Sequence, residues 1–103
     1  MAAEGGFDET IHAPTRLRLC GILRHVDSAE FAMLRDALDL SEANLSKTLR
    51  ALADLGYVRV TKAASSSRTD KRRTTTVSLT PAGRRAFDGH LRALQRLAEG
   101  IVD

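Results

Sequence analysis

The sequence predicts a mainly α fold with one β-hairpin: a three-helix core, a two-stranded hairpin and a long C-terminal helix. Three observations carry this. Apolar residues recur at helical spacing in three short segments before Gly56. The period then switches to alternation through Tyr57–Lys62 and Thr74–Leu79, and a final stripe from Phe87 to Ile101 runs at intervals of 4, 3, 4 and 3. With 103 residues there is room for one domain and not for two.

Residues 1–10 contain Glu4, Asp8 and Glu9 and no Lys or Arg, and read as a flexible acidic arm in which Phe7, with Ile11 just beyond, is able to dock. Order is expected to begin near Pro14, because proline suits the first turn of a helix. The helix that follows packs Leu17, Leu19, Cys20, Ile22, Leu23 and Val26 into little more than three turns. That is more than one stripe, so both its own core and another chain are expected to cover it. Asp27 and Ser28, with Glu30 three residues after Asp27, read as a capping box opening a second helix along Phe31, Leu34 and Leu38. Asp39 tolerates the left-handed conformation of a tight turn, and Ser41 is a good N-cap for a third helix. Leu45, Leu49, Leu52 and Leu55 form the inner face of that helix, and Gly56 stops it. After the hairpin, Thr80-Pro81 is an N-cap and first-turn proline for the last helix.

Hydrophobic residues make up 43% of the chain and charged residues 28%, which supplies a core and removes any case for global disorder. Aromatic residues are 4% and Trp is absent, which argues against a stacking platform for single-stranded nucleic acid. The formal net charge is only +3, but it is concentrated. Residues 58–79 hold six cations (Arg59, Lys62, Arg68, Lys71, Arg72 and Arg73) against one acid, Asp70, a net +5 centred on the hairpin. A focused patch of this kind attracts a polyanion, whereas the bland alternative is a solvated loop. One cysteine, with neither a secretory signal nor an apolar run long enough to span a membrane, points to a reducing cytoplasm and no membrane partner.

A helix pair with a tight turn, whose second member leads into a β-hairpin, is the layout of a winged helix-turn-helix. The runs His12-Ala13-Pro14-Thr15-Arg16-Leu17-Arg18-Leu19 and Leu40-Ser41-Glu42-Ala43-Asn44-Leu45-Ser46-Lys47-Thr48-Leu49 point further. With Leu55-Gly56-Tyr57-Val58 and Leu79-Thr80-Pro81-Ala82-Gly83-Arg84, they resemble winged-helix transcriptional regulators related to the MarR and ArsR families. The compact branch with a single helix after the wing is the nearest in character, and the resemblance covers about residues 11–100. It implies that the third helix enters the major groove of double-stranded DNA, that the wing meets the backbone or a minor groove, and that the protein acts as a homodimer. On this reading residues 11–80 are the winged helix domain and 81–103 the dimerisation helix.

The residue chemistry agrees with that expectation. With its leucines inward, the third helix presents Glu42, Ala43, Asn44, Ser46, Lys47, Thr48, Arg50 and Ala51. Asn44 can pair with adenine, Lys47 can reach guanine, and the Thr48 methyl can pack on thymine. Glu42 either accepts from cytosine or favours the helix N-terminus electrostatically. Ser41, first a cap, and Ser28 each offer a backbone amide to a phosphate. Arg68, Lys71, Arg72 and Arg73 are the phosphate and minor-groove candidates. The dimer contacts are expected from Leu19, Phe87, Leu91, Leu94, Ala98 and Ile101, with packing of the last helix on its own domain as the alternative.

Cys20 reads as a small buried hydrophobe or, more sharply, as a thiol sensor. His12, His25 and His90 are far apart in sequence and none has a partner at ligand spacing, so neither metal nor cofactor is expected. Neither a nucleophile elbow nor a glycine-rich phosphate loop is present, and the reading is of a non-enzyme. The favoured function is a sequence-specific, dimeric transcriptional regulator, a repressor on a palindromic site, with any effector unidentified. The competitors are a winged helix kept as a protein-interaction module and a regulator controlled through oxidation of Cys20.

Overall fold

The computed structural model describes residues 6–64 and 73–101. Its elements run α1 (Glu9–His12), α2 (Pro14–Arg24), β1 (Ala29–Glu30), α3 (Phe31–Leu38), α4 (Glu42–Asp54), β2 (Val58–Ala64), β3 (Arg73–Leu79) and α5 (Pro81–Ala98). The fold is mostly helical with a small antiparallel sheet, as the periodicity predicts. One apolar core is shared by all layers: Ile11, Leu19 and Leu23 meet Leu34 and Leu38, the inner face of α4 (Leu45, Leu49 and Leu52), Val58 and Val77 of the sheet, and Phe87 of α5.

Local chemistry sets the boundaries. Pro14 opens α2. Asp39 sits in the left-handed region (φ 55°, ψ 49°) and its N–H donates back to the carbonyls of Arg35 and Asp36, closing α3. Three residues separate α3 from α4, because Ser41 caps the next helix at once, its Oγ accepting the Asn44 N–H at 3.0 Å. Gly56, at φ 80°, takes the left-handed turn that frees the chain to enter β2. Thr80 does double duty: its Oγ accepts the Gly83 N–H and donates to the Gly56 carbonyl, tying α5 to the end of α4.

The wing is an antiparallel pair in the register Val58↔Leu79, Val60↔Val77 and Lys62↔Thr75. Its other edge is covered by β1, through Ala29↔Val77 and Glu30↔Thr76, giving the strand order β1-β3-β2.

Four expectations need correction. Residues 8–10, the end of the expected arm, are not loose: Asp8 caps α1, Glu9 and Thr10 open it, and order precedes Pro14, while Ile11 docks fully buried. The capping box at Asp27–Glu30 does not form, because Ala29 and Glu30 are drawn into β1 by the free edge of β3; α3 starts at Phe31 and Glu30 caps it without a side-chain bond. Leu55 lies beyond the end of α4 and is exposed, since the Gly56 turn carries it off the inner face. Leu19 and Phe87, expected at a dimer contact, are buried within this chain; Phe87 packs across α2, where a Cβ added at Gly21 would lie 3.8 Å from its Cζ.

Candidate nucleic-acid interface

Helix α4 is built to show one side and hide the other. Leu45, Leu49 and Leu52 face the core, which turns Ser41, Glu42, Asn44, Ser46, Lys47 and Arg50 to the surface and leaves Thr48 half-buried at the margin. The Ser41 cap satisfies one of the free N–H groups of the first turn, and Glu42 places an acid where the helix dipole favours it. That dipole role is the reading of Glu42 that α4 supports locally.

The wing divides this polar surface in two. Between α4 and the hairpin lies an open cleft of about 510 Å³, lined on one side by Glu42, Ser46, Leu49, Arg50 and Ala53 and on the other by Val60, Lys62 and Thr75, with Phe31 at its end. Glu42, Ser46 and Arg50 are four residues apart and form one row along the helix. At about 100° per residue, Lys47 projects from the outer face, next to Ala43 and Ala51, while Asn44 and Thr48 lie on the side away from the cleft. Thus the expected base-reading residues are on one helix but not on one face. Ser28 is exposed in the bend before β1 and does not line the cleft.

Lys62 is a site residue that the sequence reading does not single out. Alternation along β2 puts it on the same strand face as Val60, so it brings a cation to the cleft opposite Arg50. The signal is present in the Val58, Val60, Lys62 spacing. Arg68, Lys71 and Arg72 lie outside the described residues, and Arg73 opens β3.

Away from this surface, Cys20 is fully buried and burial pushes its thiol up to about 11, with Asp8 adding to the effect. A redox sensor needs an accessible, low-pKa thiol, so the structure overturns the oxidation reading. The histidines are not all apart, as sequence distance suggested: His12 and His90 meet, with His12 Nδ1 3.2 Å from His90 Nε2. Among the described residues no three His, Cys, Asp or Glu side chains are grouped to hold a metal ion, and no helix is long and apolar enough to cross a membrane.

Residues 15–98 match the family described as winged helix DNA-binding domain. The chain is similar to an uncharacterized protein of Methanocaldococcus jannaschii, at 27% identity over 86 residues, covering 84% of this chain and 89% of the relative. Its fold superposes on a transcriptional regulator homologue from Pyrococcus horikoshii OT3 with a TM-score of 0.81 and 26% identity, covering 90% of this chain and 88% of that one. The heme sensor protein PefR of Streptococcus agalactiae, solved with heme, shares the fold at a TM-score of 0.70 and 20% identity, over 92% of this chain and 65% of that one.

Proposed function

The chain belongs to the winged helix DNA-binding domain family, and we propose that it is a sequence-specific transcriptional regulator, a repressor that works in the cytoplasm as a homodimer on a palindromic site. The observation that carries the reading is the division of α4: its leucines are spent on the core, while its polar residues stand exposed beside a wing. In this reading α4 lies in the major groove. Arg50 and Lys47 reach guanine, Asn44 reaches adenine from the flank, and Thr48 contributes a methyl contact at the margin. Each good base contact discriminates by about 1–3 kcal/mol, so two or three in each half-site give useful specificity once a dimer doubles them.

The wing has the other task. Lys62, at the cleft, and Arg68, Lys71, Arg72 and Arg73, which follow it in the sequence, neutralise phosphates and supply attraction without sequence preference. Ser41 and Ser28 add backbone contacts to phosphate. Residues 11–80 form the DNA-reading unit. Residues 81–103 supply the dimer contact through Leu91, Leu94 and Ala98, left on the outer half of α5, and Ile101 beyond its end, past the Gly100 turn; Leu91 and Ile101 are 42% and 38% exposed.

Selection of bound fragments from random double-stranded DNA tests this. Enrichment of a two-fold symmetric site is expected, with half-sites about 34–36 Å apart along the duplex. Affinity for that site, followed by fluorescence anisotropy, should fall with salt by about 0.9 in log–log slope for each phosphate neutralised. No enrichment, or a flat salt response, refutes DNA reading and leaves a protein-interaction module in its place.

A further inference from the structure

The N-terminal segment is tied to α5 by a chain of hydrogen bonds that passes through two histidines. Asp8 anchors it: the carboxylate accepts the Ile11 N–H at 3.0 Å and the Tyr57 hydroxyl at 2.6 Å. The backbone N–H of Asp8 donates to Nδ1 of His90 at 3.0 Å. His90 Nε2 lies 3.2 Å from His12 Nδ1, and the Phe7 ring covers both imidazoles at centroid distances of 4.6 Å from His90 and 4.9 Å from His12. His90 is fully buried, and His12 is exposed.

The protons in this chain have only one arrangement. A backbone N–H can only donate, so His90 Nδ1 must offer its lone pair. The neutral ring then carries its proton on Nε2, which donates to His12 Nδ1, and His12 in turn carries its proton on Nε2. A proton added to His90 goes to Nδ1, against the Asp8 N–H. One added to His12 goes to Nδ1, against the His90 N–H. The same logic rules out a metal ion shared by the pair, because ligation through His90 Nε2 requires the proton on Nδ1.

We infer that His12 and His90 form a pH-sensitive clasp, which holds the Phe7–His12 segment on α5 while both rings are neutral and releases it when either is protonated. The clasp sits at a junction. His90 is the last buried residue of α5, and Tyr57, the other partner of Asp8, closes the corner between α4 and β2, donating its N–H to the Leu52 carbonyl and accepting the Thr80 N–H. Asp8 at the cap of α1 bonds His90, and it in turn interacts with Cys20 on α2, beside Arg16, and with Tyr57 at the corner; Asp88, also on α5, is engaged by Arg24. The Cys20 thiol, at about 11, and the Tyr57 hydroxyl, held at about 12 chiefly by its bond to Asp8, keep their protons across the range in which histidine titrates. Burial lowers the His90 value, the positive charge of a protonated His12 lowers it further, and Asp8 pulls the other way. Stability from His90 is therefore complete above the ordinary value of 6.5 and falls as the pH drops below it toward the depressed value.

Imidazole nitrogen NMR and amide hydrogen exchange on the full chain test the clasp, independently of any DNA. At about pH 7.5 both rings should show the Nε2–H tautomer, and the Asp8, Ile11 and His12 amides should be protected. As the pH falls from the ordinary histidine value of 6.5 toward the depressed His90 value, those protection factors should fall by about tenfold for each pH unit and then level off, with α3 and α4 amides unchanged. His12→Ala, at an exposed position, removes one of the two rings together with the charge that lowers His90, and should weaken the pH dependence at Asp8 without abolishing it. His90→Gln offers an oxygen to Asp8 and an N–H to His12 without a second titrating ring, and should weaken the dependence at Asp8. A proton on His90 Nδ1 at neutral pH, or unchanged protection after both rings have titrated, overturns the proposal.

Discussion

The two halves of α5 carry one uninterrupted apolar stripe and meet opposite fates. Gly83, Phe87, Gly89 and His90 are buried, whereas every residue from Leu91 to Ala98 is half-buried or exposed. The first half is covered by α2, with Phe87 across Gly21 and the Arg24–Asp88 pair alongside. The second half projects past the core. Hydrophobic periodicity states that a face must be covered, not by what; here one stripe serves the chain's own core and leaves a remainder, the part that the proposed dimer would cover.

The sharpest way to break the buried half is at its first turn. A Cβ on Gly83 would lie 2.0 Å from the Tyr57 carbonyl oxygen and 2.8 Å from its carbon, backbone that cannot turn aside. Gly83→Ala is expected to cost more than about 4 kcal/mol in urea unfolding, or to abolish folding. Gly21→Ala is the control: its Cβ makes ordinary contact with Phe87, and the helix-propensity gain of about 1 kcal/mol should leave the protein as stable or slightly more so.

Next in size is the contrast along the stripe. Phe87→Ala should cost about 3–5 kcal/mol of stability, as for a buried aromatic. Leu91→Ser with Leu97→Ser, at residues 42% and 61% exposed, should barely change unfolding of the single chain but lower the mass seen by sedimentation from dimer to monomer. A dimer that survives both changes uses another face.

The same division explains what could be read in the sequence. Asp39, Ser41, Gly56 and Thr80-Pro81 were legible because each boundary is set by the residue's own backbone or side-chain chemistry. β1 was not, because two residues become a strand only through the open edge of β3. The anchoring of Asp8 was hidden for the same reason: its partners, His90 and Tyr57, are 82 and 49 positions away. At the site, the exposed and buried sides of α4 followed from period alone. Which polar residues face the wing did not, since that depends on where β2 carries Lys62.

Within the proposed interface, helix and wing should separate in their effects. Lys47→Ala or Arg50→Ala is expected to cost about 1–3 kcal/mol against the selected site and to relax preference at one base pair. Arg72→Ala with Arg73→Ala should weaken selected and random DNA alike and reduce the salt slope by about 0.9 for each phosphate that is no longer neutralised. Equal weakening on both kinds of DNA from the α4 substitutions would move sequence reading off that helix.

The smallest expected effect lies where the two halves of α5 join. Arg24 Nε and Nη2 grip the Asp88 carboxylate at 2.8 and 3.1 Å, and this hydrogen-bonded pairing lowers the Asp88 pKa below its ordinary 3.8, helped by Arg92 and Arg84. A lowered carboxylate contributes stability that is fully present above the ordinary value and lost as the pH falls through the lowered one. Both side chains are about one-third exposed, at 33% and 35%, so solvent screens most of the attraction. Asp88→Asn should therefore depress the melting temperature slightly at neutral pH, with the gap to wild type closing in acid below 3.8. A gap that persists at low pH would mean that the pair acts through packing of α2 on α5 rather than through charge.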